Sequence, residues 1–216
     1  MKILELFCGS KSFTNYMKTH YVCDTITLDI DENCNPDILI DILEWDYTQQ
    51  EPPDILWCSP DCRSFSNQAY GGYIPQRRHS DMKPLTASAE LGDKLLHTTI
   101  DIINYFMDKN PNMVWLMENP RGTMYRSPIL ARTEYYQNKT RYCDYGDNRT
   151  KRTDIFSNKK LRLKNTKNAK GTQYTCNGLT RAGVYKKGYG GWNGKGIDKG
   201  KVPPELLKAI LQQILS

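Results

Sequence analysis

A chain of 216 residues, 38% of them hydrophobic and none in an apolar run near the ~20 residues of a membrane-crossing helix, excludes a disordered tail and a helical membrane protein. The formal charge of +6 is unevenly placed: from Ser157 to Lys201 twelve basic residues face one acid, Asp198, so that stretch carries +11 and the rest is slightly acidic. Seven cysteines without a repeating pattern, and no signal-peptide-like segment, predict reduced thiols in an intracellular, cytoplasmic chain. Cys58 and Cys62 have no companion pair, so no metal site is expected.

In chain order, Ile3 to Phe7 predicts a buried strand ending in a Cys8-Gly9-Ser10 turn, with a first helix closing from about Tyr16. Val22 to Leu28 predicts a second strand, closed by Asp29-Ile30-Asp31. Asp37 to Ile42 predicts a third and Asp54 to Trp57 a fourth. A polar loop runs from Ser66 to about Lys83 and includes Arg77, Arg78 and His79. From Ala87 to Met107, the spacing of Leu91, Leu95, Leu96, Ile100, Ile103 and Phe106 predicts an amphipathic helix, stopped by Asn110-Pro111. Met113 to Met117 predicts a fifth strand running into Glu118-Asn119-Pro120. Arg132 to Cys143 and Arg152 to Phe156 predict a later antiparallel pair. Val202 onward predicts a C-terminal helix with Leu206, Leu207, Ile210, Leu211 and Ile214 on one face. Such alternation predicts an α/β fold: a doubly wound, mostly parallel sheet. Ligands in these sheets lie at the carboxyl ends of strands, where Gly9, Asp29, Asp41, Cys62 and Glu118 all fall.

Residues Asp54 to Ser66 read DILWCSPDCRSFS, which resembles the catalytic loop DILxGGPPCQxFS of cytosine-C5 DNA methyltransferases. Asp54, Pro60, Cys62, Phe65 and Ser66 match. Cys58-Ser59 replaces the glycine pair, Asp61 the second proline and Arg63 the glutamine. A carboxylate beside a thiol raises its pKa, and an arginine opposes that. Glu118-Asn119-Pro120 resembles the family's ENV, also found as ENP. Glu5 to Gly9 resembles the opening DLFxG, and Asp29 matches the acid that binds ribose hydroxyls. Arg141 to Asn158 resembles the YGxxRxKPTDIW segment of phage-type members, and the last helix resembles the family's closing helix. The resemblance covers Met1 to Asn158 and that helix.

The resemblance implies a Rossmann-like fold of S-adenosylmethionine methyltransferases, with S-adenosylmethionine as cofactor. It implies Cys62 as nucleophile at cytosine C6, Glu118 as the acid at N3 with Asn119 beside it, and Arg149 and Lys151 as the cations at cytosine O2 and a phosphate. It places Phe7, Cys8, Gly9, Asp29, Ile30, Asp41, Ile42, Ser59 and Pro60 around the cofactor. Residues 1–156 and 201–216 would form the catalytic domain, and 157–200 a small basic target-recognition segment. There Tyr174, Tyr185, Tyr189 and Trp192 interleave with cations, a composition suited to phosphate contact and base stacking. The expected partner is nucleic acid, double-stranded DNA with the target base flipped out of the stack, met by a monomer of viral or phage origin. Two alternatives stay open: an RNA cytosine methyltransferase, and a nucleic-acid-binding protein of the same fold with impaired catalysis. A third, an amino-methyltransferase, has weaker support, because Cys62 stands where its loop needs an aromatic.

Overall fold

The computed structural model of the chain describes residues 1–65, 78–147, 149, 151–165 and 200–216. Seven strands among them form one sheet: β1 (Lys2–Leu6), β2 (Asp24–Asp29), β3 (Ile38–Leu39), β4 (Ile55–Cys58), β5 (Val114–Pro120), β6 (Tyr136–Arg141) and β7 (Arg152–Ser157). Their spatial order is β3-β2-β1-β4-β5-β7-β6, with β3 to β5 parallel and the β6–β7 pair antiparallel. Three helices flank it: α1 (Ser12–His20), α2 (Ala87–Lys109) and α3 (Pro204–Ile214).

The central strands are apolar on both sides because both sides are covered. Leu4, Leu6, Leu56, Trp115 and Met117 pack toward Leu96, Ile100, Ile103 and Phe106 of α2. The alternate residues Ile3, Ile55, Trp57, Val114 and Leu116 pack toward Phe13 and Met17 of α1 and Leu206, Leu207, Ile210 and Leu211 of α3. This is a doubly wound, mostly parallel sheet of the Rossmann-like kind. The period of two along each strand also assigns its polar exceptions: Glu5 and Glu118 share the α1/α3 side with Trp57.

Local chemistry explains the helix limits. The Thr86 hydroxyl accepts from the Ala89 N–H at the start of α2, and Pro204 opens α3 in the first turn, where its missing N–H costs nothing. Three expectations need correction. Val22 lies outside β2 and is 98% exposed. The third strand shrinks to two residues: at its start the Asp37 carboxylate binds the Thr27 N–H (2.8 Å) and hydroxyl (2.7 Å), and beyond Leu39 its partner β2 has ended at Asp29. The fifth strand continues through Pro120, since antiparallel β7 pairs Glu118 with Ile155 and Asn119 with Asp154. Glu118 therefore sits inside a strand, which fixes its direction more firmly than a loop would.

Among the described residues, Cys8, Cys23, Cys34, Cys58 and Cys62 are free thiols. No helix among the described residues is long and apolar enough to cross a membrane.

Candidate active site

The turn after β1 is built from backbone geometry. Phe7, Gly9 and Lys11 all adopt positive φ (56°, 44° and 50°), an uncommon cluster for a stretch with one glycine. The turn is tied down by Cys8 N–H to the Leu28 carbonyl (3.1 Å) and Lys11 N–H to the Cys8 carbonyl (2.7 Å). Asp29 completes it: Oδ2 accepts from the Gly9 N–H (2.9 Å) and Oδ1 from the Asp31 N–H (3.0 Å). Beside this turn opens a cleft of about 600 Å³ that reaches the ends of β4 and β5. Five of the nine residues expected around the cofactor line it: Phe7, Cys8, Gly9, Ser59 and Pro60. Asp29 and Ile30 stand off it, Ile30 being exposed. Asp41 caps its own turn through the Leu43 N–H (2.9 Å), and Ile42 is buried in the α2-side core.

Glu5 lines the same cleft and was not among the expected site residues. Its Oε2 accepts from the Thr14 N–H near the start of α1 (2.8 Å), and burial pushes its pKa up to about 7. The signal in the sequence was an acid inside the otherwise apolar run Ile3-Leu4-Glu5-Leu6.

The opposite end of the cleft is built from side chains. After β4 the loop turns at Cys62, whose carbonyl accepts from the Phe65 N–H (3.0 Å). Asp61 accepts from the Arg63 N–H (3.0 Å) and pairs with its guanidinium (2.9 Å), so the arginine expected to serve the thiol serves Asp61 instead. Burial raises the Cys62 thiol pKa, the Glu118 and Asp61 carboxylates add to the rise, and the Lys151 ammonium opposes it.

Glu118 is only 5% exposed, and both of its side-chain contacts fall on Oε1: the Tyr142 hydroxyl donates at 3.0 Å and Lys151 Nζ stands at 3.1 Å. No hydrogen bond or ion pair falls on Oε2 among the described residues, and Glu118 lines the cleft. Lys151 Nζ also lies 3.4 Å from the Tyr142 hydroxyl and 4.7 Å from its ring centre. Tyr142 is wholly buried, and burial, followed by the neighbouring carboxylate, holds its phenol well above the usual range. Asn119 does not line the cleft; its amide donates to the Pro60 carbonyl (3.0 Å) and ties β5 to the Cys62 loop. Arg149 does not line it either. It is held by the Asp147 carboxylate (2.9 Å), donates to the Lys201 carbonyl (2.6 Å) and stands 5.2 Å from the Tyr142 ring centre. Cys62, Glu118 and Lys151 are the expected catalytic residues that the fold brings to one cleft. Tyr142 escaped sequence reasoning, because its meaning depends on how the β6–β7 pair packs against β5.

The last wall comes from Gly200 and Val202, the latter anchored by its N–H to the Ser12 hydroxyl (3.2 Å). Ser66 and Arg77 lie outside the described residues, as do Tyr174, Tyr185, Tyr189 and Trp192 with the basic segment from 166 to 199. No group of His, Cys, Asp and Glu among the described residues is arranged to hold a metal ion.

The cleft fits S-adenosylmethionine. A side chain at Gly9 would meet nothing nearer than the Phe7 carbonyl at 4.0 Å, so the space beside the turn is open. The charged lining, Glu5, Asp61 and Glu118 against Lys151, suits a cationic sulfonium. Among solved structures, the chain is similar to the Entamoeba histolytica methyltransferase EhMeth (TM-score 0.52, 16% identity, 78% of this chain and 57% of that one). It is also similar to the S. pombe Dnmt2 methyltransferase (TM-score 0.51, 13% identity, 76% and 52%). The chain therefore spans little more than half the length of these two, and at such identities the likeness shows the fold. No family model matches the chain. A protein of Frog virus 3 (isolate Goorha), named "Probable DNA (cytosine-5)-methyltransferase", is 30% identical over 165 residues, covering 72% of this chain and 71% of its own length. With that identity over most of both chains, on this fold, the protein belongs to the cytosine-5 methyltransferases, enzymes whose methyl donor is S-adenosylmethionine.

Proposed function

We propose that this chain methylates C5 of cytosine in DNA through a covalent adduct between Cys62 and C6 of the base. Cytosine C5 is a weak nucleophile. Addition of the Cys62 thiolate at C6 makes the C5–C6 unit enamine-like, and the Glu118 carboxyl at N3 stabilises the charge that develops. Bound in the cleft, S-adenosylmethionine supplies an electrophilic methyl group. After methylation, the C5 proton passes to solvent acting as base, the C–H electron pair re-forms the C5–C6 double bond, and the Cys62 sulfur leaves as thiolate, restoring the aromatic ring. Lys151 and Tyr142, both on Oε1, turn Oε2 toward the base. Any proton that Glu118 presents to N3 is then carried on the oxygen facing the substrate. Asn119 keeps the two halves of the site in register by holding the Pro60 carbonyl.

The observation that carries this reading is the shared cleft of Cys62 and Glu118, reached from adjacent strands β4 and β5. Residues 157–200, rich in cations and aromatics, serve as the target-recognition segment, and residues 1–156 with 201–216 as the catalytic domain. A base inside a duplex cannot reach Cys62, so a duplex substrate requires base flipping. The test is an oligonucleotide containing 5-fluorocytosine, offered as DNA and as RNA with S-adenosylmethionine. The fluorine cannot leave as the proton does, so the adduct is trapped on Cys62 with DNA and not with Cys62→Ala. Methylation without a trapped adduct, or trapping by RNA alone, overturns the corresponding part of the proposal.

A further inference from the structure

Two residues beyond the nucleophile, the chain meets a cluster that none of this chemistry uses. Arg78 is 1% exposed, although a guanidinium is among the costliest groups to bury without partners. It donates to the Ser64 carbonyl (3.2 Å) and hydroxyl (2.9 Å), to the Ala89 carbonyl (3.0 Å) and to the Met82 carbonyl (3.1 Å). It also pairs with Asp93 of α2 (2.7 Å), and its guanidinium carbon lies 4.0 Å from the Phe65 ring centre. From the other direction, the Phe65 carbonyl accepts from the Thr123 N–H (2.8 Å) and hydroxyl (3.1 Å). Ser64 and Phe65 are thus gripped from two sides.

Underneath is Gly92, buried within α2. A Cβ there would stand 2.4 Å from Ser64 Oγ, closer than any real contact, and 3.5 Å from Ser64 Cβ and Arg78 Nη2. Alanine is the better helix former, so the glycine weakens α2 locally while letting the loop settle onto it.

We propose that Ser64, Arg78 and Gly92 form the seat of the nucleophile loop: positioning residues that touch no substrate and set where the Cys62 sulfur stands relative to Glu118. The proposal rests on Cys62 being the nucleophile. A push on Ser64 reaches Cys62 through the tight turn closed by the Phe65 N–H and the Cys62 carbonyl (3.0 Å). Misplacing a reacting atom by about 1 Å can cost roughly a hundredfold in rate.

The experiment compares the wild type, Gly92→Ala and the double variant Ser64→Ala/Gly92→Ala in the full chain. It measures kcat, KM for the oligonucleotide, S-adenosylmethionine binding, melting temperature, and the rate of iodoacetamide alkylation at the Cys62 peptide. Gly92→Ala is expected to melt at or somewhat below the wild-type temperature, the overlap offsetting the gain in helix propensity, with cofactor binding and KM unchanged, kcat down about tenfold or more and the Cys62 alkylation rate altered. Removing the Ser64 hydroxyl relieves the overlap, so the double variant recovers kcat to within about threefold of wild type, the shortfall being the lost Arg78 hydrogen bond. Wild-type kcat and alkylation in Gly92→Ala, or a loss that Ser64→Ala does not relieve, overturn the seat. Should Gly92→Ala alone not fold, the double variant carries the test: it must fold and turn over, and a disabled one overturns the proposal. A wild-type chain that traps no fluorocytosine adduct overturns the role of Cys62 instead, and alkylation of the same variants still decides the seat.

Discussion

The two ends of the cleft are made in different ways. At the β1 end, three left-handed residues and backbone hydrogen bonds shape the turn, and Asp29 holds N–H groups of this turn and of the next. At the β4–β5 end, an ion pair and a buried phenol lie within 3.4 Å of one another, and a thiol lines the same cleft. A backbone-built site keeps its shape through most side-chain changes. A site built from buried charges depends on every partner, because each group left alone carries an uncompensated desolvation cost. The first kind suits a cofactor held in one pose, and the second suits a step in which charge moves.

That contrast has measurable consequences. The largest should follow Cys62→Ala, which removes the nucleophile and is expected to lower methyl transfer by roughly three orders of magnitude or more, with S-adenosylmethionine affinity unchanged. Comparable loss of cofactor binding would mean the two ends are not independent. Next comes the one charged-group exception at the β1 end. The Glu5 carboxyl stands at about 7 when folded, against an ordinary 4.5, so the folded chain holds that proton more tightly than the unfolded one. Its contribution to stability is complete below pH 4.5 and is lost as pH rises through about 7, an effect on the order of 3 kcal/mol. Glu5→Gln should therefore flatten stability between pH 5 and pH 8. Denaturant melts that fall equally in variant and wild type would refute it.

Smaller, and confined to the β4–β5 end, is Tyr142→Phe. Losing one hydrogen bond to a charged group should reduce kcat by about tenfold or somewhat more and leave KM and cofactor binding alone. A change in KM only would show that the phenol shapes substrate binding instead of aiming Glu118. The smallest effect belongs to Asp61→Asn. It removes one of the carboxylates that raise the Cys62 thiol pKa, so the rise of Cys62 alkylation with pH should move toward lower pH. A profile that stays put, or moves upward through the freed Arg63, would show that Asp61 does not act on the thiol by charge.

Much of the fold could be read directly from the sequence, since buried parallel strands are continuous apolar runs and α2 keeps one apolar face over 23 residues. The site was readable wherever a short motif carries it: Cys62 and Glu118 follow from the strings around them. It was unreadable where meaning comes from a distant partner. Arg78 reads as one more cation in a polar loop until the fold supplies Ser64, Met82, Ala89 and Asp93 around it. Gly92 reads as a weak point in a helix until a serine hydroxyl is found against it. The third strand was overestimated because its partner β2 ends at Asp29, and because a side chain, Asp37, takes the Thr27 N–H ahead of the pair. Local pattern reports burial and period. It does not report which side chain from elsewhere arrives to satisfy a group.

The wall contributed by Gly200 and Val202 bears on how the molecule assembles. Val202 joins the first helix's neighbourhood across 190 positions of sequence, and α3 covers strands that are synthesised long before it. During translation, Ile3, Trp57 and Leu116 must wait on that face of the sheet without α3 until it emerges, so the cofactor chamber closes only after α3 has been made. Competence to bind a ligand is thereby tied to the emergence of α3.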